Sequence, residues 1–190
     1  MKALEERILR DGKVLPGNIL NVNTFLNHQI DSCFMMEMGE EIARLFEEDK
    51  PTKILTIEAS GIAIGFAAAA VMKLPLIFAK KNKTSNVDSD VYCSVVHSYT
   101  HNKDYTAVIS KEILSKEDRV LIVDDFLANG CALRGLIQIV EQAGAAVAGC
   151  ATAIEKGYQG GGDALRREGV KVESLAIVES MEDGKVTFRM

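Results

Sequence analysis

The chain is poor in every feature that would make it a secreted, metal-stapled or membrane protein. Its four cysteines (Cys33, Cys93, Cys131, Cys150) are far apart, with no C-x-x-C spacing. That argues against a disulfide framework and for spectator thiols in a reducing compartment. There is no H-E-x-x-H and no Cys-rich metal motif. His97 and His101 stand at a spacing that binds metal on a helix, but their surroundings read as strand and loop, so a solvated pair is expected. The most apolar uncharged run, Ala59 to Met72, is shorter than the ~20 residues a membrane span needs, and Gly61 and Gly65 interrupt it. The N-terminus, with Glu5, Glu6, Arg7, Arg10 and Asp11, lacks the apolar centre of a secretory signal. No repeat or low-complexity linker divides the 190 residues, and a single domain, 1–190, is expected. The net charge of −5 argues against nonspecific binding to nucleic acid, although a local basic patch stays open. A cytoplasmic protein with neither nucleic acid nor membrane as partner is the expectation.

What is present is concentrated between Val120 and Val140. Val120-Leu121-Ile122-Val123 reads as a strand buried on both faces. Asp124 and Asp125 follow, then Phe126 to Gly130, and from Cys131 the apolar residues Leu133, Leu136, Ile137 and Val140 recur at helical spacing. A strand, an acidic pair, a glycine-bearing loop and a helix N-terminus together form a receptor for a sugar phosphate. Loop amides and the helix dipole take the phosphate, and carboxylates accept hydrogen bonds from hydroxyls. Adjacent strand residues point to opposite faces, so the two acids share a ligand only if the chain is already turning there. An Asp ending a strand can also merely cap the next helix.

Elsewhere, strand and helix signals alternate. Residues 1 to 27 read as an irregular or short-helical lead-in, punctuated by Gly12, Pro16 and Gly17. Phe34, Met38, Ile42, Leu45 and Phe46 mark a helix that stops before Pro51. Strands follow at Lys53–Glu58 and Leu76–Ala79, with an alanine-rich helix between them that ends near Met72. Residues Lys80 to Asp90 are polar. Val91–Val96 and Thr106–Ser110 predict an antiparallel excursion, Ala146–Ile154 a strand, Asp163–Glu168 a short helix, and Val172–Val178 the strand that closes the sheet. The predicted fold is α/β, with a mostly parallel central sheet flanked by helices and ligands at the carboxyl ends of its strands. A second βα turn, Glu58-Ala59-Ser60-Gly61-Ile62-Ala63-Ile64-Gly65, could also receive phosphate. It has neither the G-K-[ST] ending of a Walker loop nor G-x-G-x-x-G.

The hydrophobic run, acid pair and small residues closely resemble the signature of the type I phosphoribosyltransferases. The opening of the chain, from Lys2-Ala3-Leu4 through Pro16-Gly17-Asn18 to Asn27-His28-Gln29-Ile30-Asp31, is similar to the bacterial xanthine-specific branch, and the likeness extends over the whole length. This resemblance implies a small N-terminal hood (1–30) that helps form the base pocket, and a flexible lid hairpin (80–105). It implies that Asp124 and Asp125 act at the ribose, that Ala128, Asn129, Gly130, Cys131 and Ala132 hold the 5-phosphate, and that Ser60 and Gly61 contact pyrophosphate. A lid lysine would neutralise pyrophosphate: Lys81 is the candidate, with Lys80 and Lys83 as rivals in Lys80-Lys81-Asn82-Lys83-Thr84. A Ser-Tyr pair, Ser98-Tyr99, lies further along the same excursion.

For the base, the resemblance implies Leu20, Asn27 and Lys156. Lys156 would donate to the 6-oxo group, which favours oxopurines over adenine, and the Asn27 amide would donate to the 2-oxo group of xanthine. On its own, Asn27 could equally be a helix N-cap, and Lys156 a solvated strand end. Expected of such an enzyme is transfer of 5-phosphoribosyl from phosphoribosyl pyrophosphate to N9 of xanthine, with Mg²⁺ held mainly by the substrate's pyrophosphate, in a homodimer. Guanine or hypoxanthine would keep the same machinery with another pocket. A non-enzymatic sensor of phosphoribosyl pyrophosphate is the other class, though such proteins usually carry an added winged-helix domain, for which this length leaves no room. Gly130 is expected to resist side chains because a Cβ would crowd the amides facing the phosphate.

Overall fold

In the computed structural model, which describes residues 1–82, 90–98 and 103–189, the continuous apolar runs become strands covered on both faces. An eight-stranded sheet runs from edge to edge as β10 (Thr187–Phe188), β9 (Val172–Ser180), β8 (Ala146–Lys156), β7 (Arg119–Leu127), β3 (Lys53–Ile57), β4 (Leu76–Asn82), β6 (Lys103–Ser110) and β5 (Val91–Ser98). Its parallel centre consists of β3, β4, β7, β8 and β9. Alternate residues feed two separate cores. Ile54, Leu121 and Val123 pack under α2 (Ser32–Leu45) and α3 (Gly61–Met72), while Leu55, Val120 and Ile122 face Leu136 and Ile139 of α4 (Cys131–Gln142). Period-two alternation between two buried faces is why β7 reads as unbroken hydrophobic sequence.

The edges depart from expectation. Of the two readings of residues 1–27, the short-helical one describes Lys2–Asp11, which form α1, but Lys13–Leu15 and Ile19–Asn21 also pair as an antiparallel hairpin, β1 and β2, that neither reading contains. Only Leu4 and Ile8 of α1 are buried, so its apolar stripe is too short to stand out among charged residues. β9 does not close the sheet, because β10 (Thr187–Phe188) pairs antiparallel outside it. α5 comprises Gly161–Arg167.

The helix α2 is capped by Asp31, whose carboxylate accepts from the Phe34 amide at 3.2 Å; Asn27 is therefore not that helix's N-cap. Arg7 ties the hood to this point. Its guanidinium donates to Asp31 at 2.9 Å and lies over the rings of Phe25 and Phe34, 5.1 and 5.5 Å from their centroids.

The antiparallel excursion is as expected, with β5 (Val91–Ser98) paired to β6 (Lys103–Ser110) and β6 to β4. Its root lies further along than the polar composition suggested. β4 continues through Lys80 and Lys81 to Asn82, so these lysines stand on a strand rather than in a loop. α4 secures the outer strand: the Gln142 side chain exchanges hydrogen bonds with both the amide and the carbonyl of Cys93, and Ser94 donates to Gln138 at 2.7 Å.

Candidate functional site

Parallel neighbours β8, β7, β3 and β4 deliver their carboxyl ends side by side, and every one of those ends carries a singled-out residue. β8 ends in Lys156, β7 carries Asp124 and Asp125, β3 leads into Glu58 to Gly61, and β4 carries Lys81. Proximity in the sheet, not in sequence, assembles the site.

The acids are both buried, Asp124 at 5% and Asp125 at 8% exposure. The chain is not turning at this point, since β7 runs on to Leu127. The two carboxyl groups are nevertheless close enough for the like charge of Asp125 to bear on Asp124. The ladder pairs Asp124 with Thr152 and Phe126 with Ile154, and the Asp125 amide between them donates to the Asp124 carboxylate at 3.0 Å. Burial first, then the like charge of Asp125, holds the Asp124 carboxyl well above the usual carboxylate range, and Lys81 pulls weakly the other way.

Gly61 explains how the pyrophosphate-turn candidate meets the acids. A Cβ there would fall 2.7 Å from Asp124 Oδ1 and closer still to Thr56 Oγ1, so glycine is demanded by close approach. Ser60 stands at the N-cap of α3 without capping it by its side chain, so apart from the Ile62 amide, which donates to the Ala59 carbonyl at 3.2 Å, the helix start can offer amides to an incoming anion. Gly130 occupies the same place on α4, again with no side-chain cap. Its φ of +82° is the left-handed region, while a Cβ would make only ordinary contacts at 3.5 Å and beyond. Backbone conformation is thus a reason for glycine at this position beside the expected one.

Behind the loop, the Gly161 amide donates to the Ala128 carbonyl at 3.2 Å, and a Cβ on Gly161 would collide with Ala128, Asn129 and Gly130. Ala128, Asn129, Cys131 and Ala132 are half-buried around Gly130.

Lys156 is half-buried, and burial lowers its ammonium below the usual lysine range. Its Nζ stands 6.0 Å from the Phe126 ring centroid and donates to the Asn18 carbonyl at 3.4 Å, bringing the hood to the site. The neighbouring Glu155 is fully buried and held by Arg166 at 3.0 and 2.7 Å and by Ser174 at 2.5 Å. Asn27 lines a cleft of about 390 Å³ together with Ser60, Ala59 and Ala63, and its Oδ1 is buried without a partner. Leu20, in contrast, packs in the core at 5% exposure.

Lys83, Thr84, Tyr99 and Thr100 lie outside the described residues, as does His101. His97 is not simply solvated, since its Nδ1 lies 2.6 Å from the Asp104 carboxylate. The cysteines are free, and burial pushes the Cys150 thiol up to about 12, so it stays protonated.

One residue, Tyr105, escaped the sequence reading, and two others, Phe126 and Glu58, were quoted within motifs without a role of their own. Phe126 is half-exposed between the acids and Lys156, a flat apolar surface of the kind a purine ring stacks on. Its place inside the signature was the available signal. Tyr105 lies 5.0 Å from the Lys81 ammonium, and Glu58 accepts from the Lys81 amide at 2.6 Å. Only the pairing of β4 with β6 reveals the first of these contacts.

This geometry has relatives. The sequence model described as "Phosphoribosyl transferase domain" matches residues 28–183. A Clostridium perfringens protein named xanthine phosphoribosyltransferase 1 is 54% identical over 190 residues, covering 100% of both chains. The xanthine phosphoribosyltransferase of Lachnoclostridium phytofermentans is 52% identical over 100% of this chain and 98% of its own. Among solved structures, an APRTase from Giardia lamblia complexed with 9-deazaadenine superposes with a TM-score of 0.77 at 19% identity, over 93% of this chain and 98% of that one. Identity that low speaks for the fold alone. With the match over 28–183 and full-length relatives above half identity, this chain belongs to the phosphoribosyltransferase family.

Proposed function

We propose that the protein transfers the 5-phosphoribosyl group of phosphoribosyl pyrophosphate to N9 of xanthine, yielding xanthosine 5′-monophosphate and pyrophosphate. The carrying observation is the buried pair Asp124–Asp125, set between two uncapped helix N-termini and beside a half-buried lysine. The relatives named above share that activity by name.

Each feature has a step to perform. The open amides of α4 and the Ala128–Ala132 loop anchor the 5-phosphate, so binding energy remote from the reaction fixes the sugar for attack. As pyrophosphate leaves C1′, oxocarbenium-like charge grows on the ribose, and Asp124 and Asp125 stabilise it while accepting from its hydroxyls. Ser60, Gly61 and the α3 amides receive the departing pyrophosphate, with Lys81 opposing its charge. Phe126 supports the purine plane, Lys156 donates to the 6-oxo oxygen and Asn27 to the 2-oxo oxygen. An adenine amino group would face the Lys156 ammonium donor to donor, which disfavours that base. The excursion over 80–105 serves to exclude water from the activated sugar.

The family generally works with Mg²⁺. The buried carboxylates of Asp124 and Asp125 are oxygen donors of the kind such an ion takes, with the substrate's pyrophosphate holding it chiefly. Asp124 and Asp125 are the protein groups that could touch it. Bound with the substrate, Mg²⁺ would neutralise pyrophosphate oxygens.

We place the protein in the cytoplasm as a homodimer. Ile30, Met36 and Phe66, exposed by 47%, 37% and 63%, border an apolar groove between α2 and α3 that reaches Ala59 beside the pyrophosphate turn. No described helix is long and apolar enough to cross a membrane.

The test is product formation from xanthine, guanine, hypoxanthine and adenine at equal concentration. Xanthine is expected to lead and adenine to trail. Preference for adenine, or no pyrophosphate release with any base, would overturn the reading.

A further inference from the structure

Lys81 carries a long flexible side chain, and nothing in its sequence neighbourhood explains how the ammonium is aimed. Register supplies the answer. Lys81 stands opposite Ala107 in the β4–β6 ladder, so Tyr105, two residues along, is its diagonal neighbour on the same face. The Lys81 Nζ lies 5.0 Å from the centre of the Tyr105 ring, within the range where a cation is drawn to an aromatic face. At the other end of the residue, the Lys81 amide is held by the Glu58 carboxylate at 2.6 Å. The ring is half-buried, and its phenol is pushed up to about 12, by burial first and then by Asp124 and Cys131, so it stays neutral.

A second force competes for the same ammonium. The charge of Asp124 reaches Lys81. A lysine free to swing would settle against the carboxylates that must remain available to the sugar.

We propose that Tyr105 is the positioning residue for Lys81: its ring holds the ammonium against the pull of Asp124, so that Lys81 stays available to the departing pyrophosphate. This rests on the reading of Lys81 as the pyrophosphate lysine. It requires the ring but not the hydroxyl.

The experiment measures kcat and KM for phosphoribosyl pyrophosphate in Tyr105→Phe, Tyr105→Leu, Lys81→Ala and the Lys81→Ala/Tyr105→Leu double variant, with melting temperature recorded for each. Tyr105→Phe should stay within about twofold of the parent. Tyr105→Leu should lose about three- to tenfold, the worth of one cation–π contact. Lys81→Ala should lose more, on the order of a hundredfold. The deciding result is that Tyr105→Leu costs nothing further once Lys81 is gone. Equal loss with and without Lys81 would make Tyr105 merely structural, and Phe as damaging as Leu would assign the effect to the hydroxyl; either overturns the inference. Full activity in Lys81→Ala would sink the underlying reading instead. Should Tyr105→Leu not fold, Tyr105→Met, flexible and of similar length, takes its place in the same cycle.

Discussion

Replacing Asp124 by Asn should damage the enzyme and strengthen the protein. The side chain is almost without solvent contact, it carries a carboxyl displaced upward by burial and by Asp125, and it packs against Gly61 with no space to spare. Asn has the same shape and keeps an oxygen for the Asp125 amide, so packing survives. What disappears is a negative charge beside the developing positive charge of the sugar. Losing such an interaction in a dry site costs about 2–4 kcal/mol of barrier, or roughly thirty- to a thousandfold in kcat.

Stability should move the other way. The folded state binds the Asp124 proton more tightly than the unfolded state does. The stability this confers is complete below the unfolded pKa and is lost as pH rises through the folded one. At neutral pH the native protein therefore bears a cost that Asn does not carry, whether as a buried charge or as the uptake of a proton. The variant should melt at or above the parent at neutral pH, with the gap narrowing as acid protonates Asp124 in the parent. Steady-state turnover alongside thermal melts across this pH range provides the measurement. A variant that melts lower at neutral pH yet turns over near normally would refute both halves of the reasoning.

Asp125→Asn should lower turnover as well, and by removing the like charge it should let Asp124 ionise more easily, moving the acid limb of kcat/KM to lower pH; an unmoved limb would show that the carboxyls are not coupled. Gly130→Ala should weaken phosphoribosyl pyrophosphate binding and also lower the melting temperature, because φ of +82° strains any side chain; unaltered affinity by calorimetry would remove the loop from the phosphate site. Lys156→Ala should depress activity with every oxopurine, whereas Asn27→Ala should depress xanthine more than hypoxanthine by the ~0.5–1.5 kcal/mol of one hydrogen bond. Equal losses on the two bases would defeat the 2-oxo assignment. Because burial lowers the Lys156 ammonium, the alkaline limb with xanthine should fall earlier than an exposed lysine would set it, and pH profiles with and without Lys156 check this.

The strand ends that build the site were legible because each is a local event. Val120 to Cys131 and Glu58 to Gly65 carry their strand, loop and helix start in consecutive residues, and parallel order then makes neighbours of them. What was hidden depended on partners distant in the chain. The lysines at 80 and 81 look like loop residues by polarity, yet the ladder to Val108 and Ala107 makes them strand. Tyr105 gained meaning only from that ladder. The two acids violate simple alternation, and no sequence rule announces that the Asp125 amide would turn to its neighbour's carboxylate. The first helix buries only Leu4 and Ile8, too few positions for periodicity to register.

The seam between Gly161 and Ala128 has a consequence for how this family can diverge. The loop from Ala128 to Gly130 and the first turn of α5 share a hydrogen bond and leave no volume for a methyl group between them. Gly162 is equally confined, against the Glu155 carboxylate that Arg166 holds. A graft that imported a relative's phosphate loop without its matching glycines would bring two backbones into collision. The two segments, separated by a whole helix and strand, form one heritable unit. On the proposed function, base preference can drift through residues such as Asn27, which answer to a cleft, while the proposed anion cradle must change in concert or stay as it is.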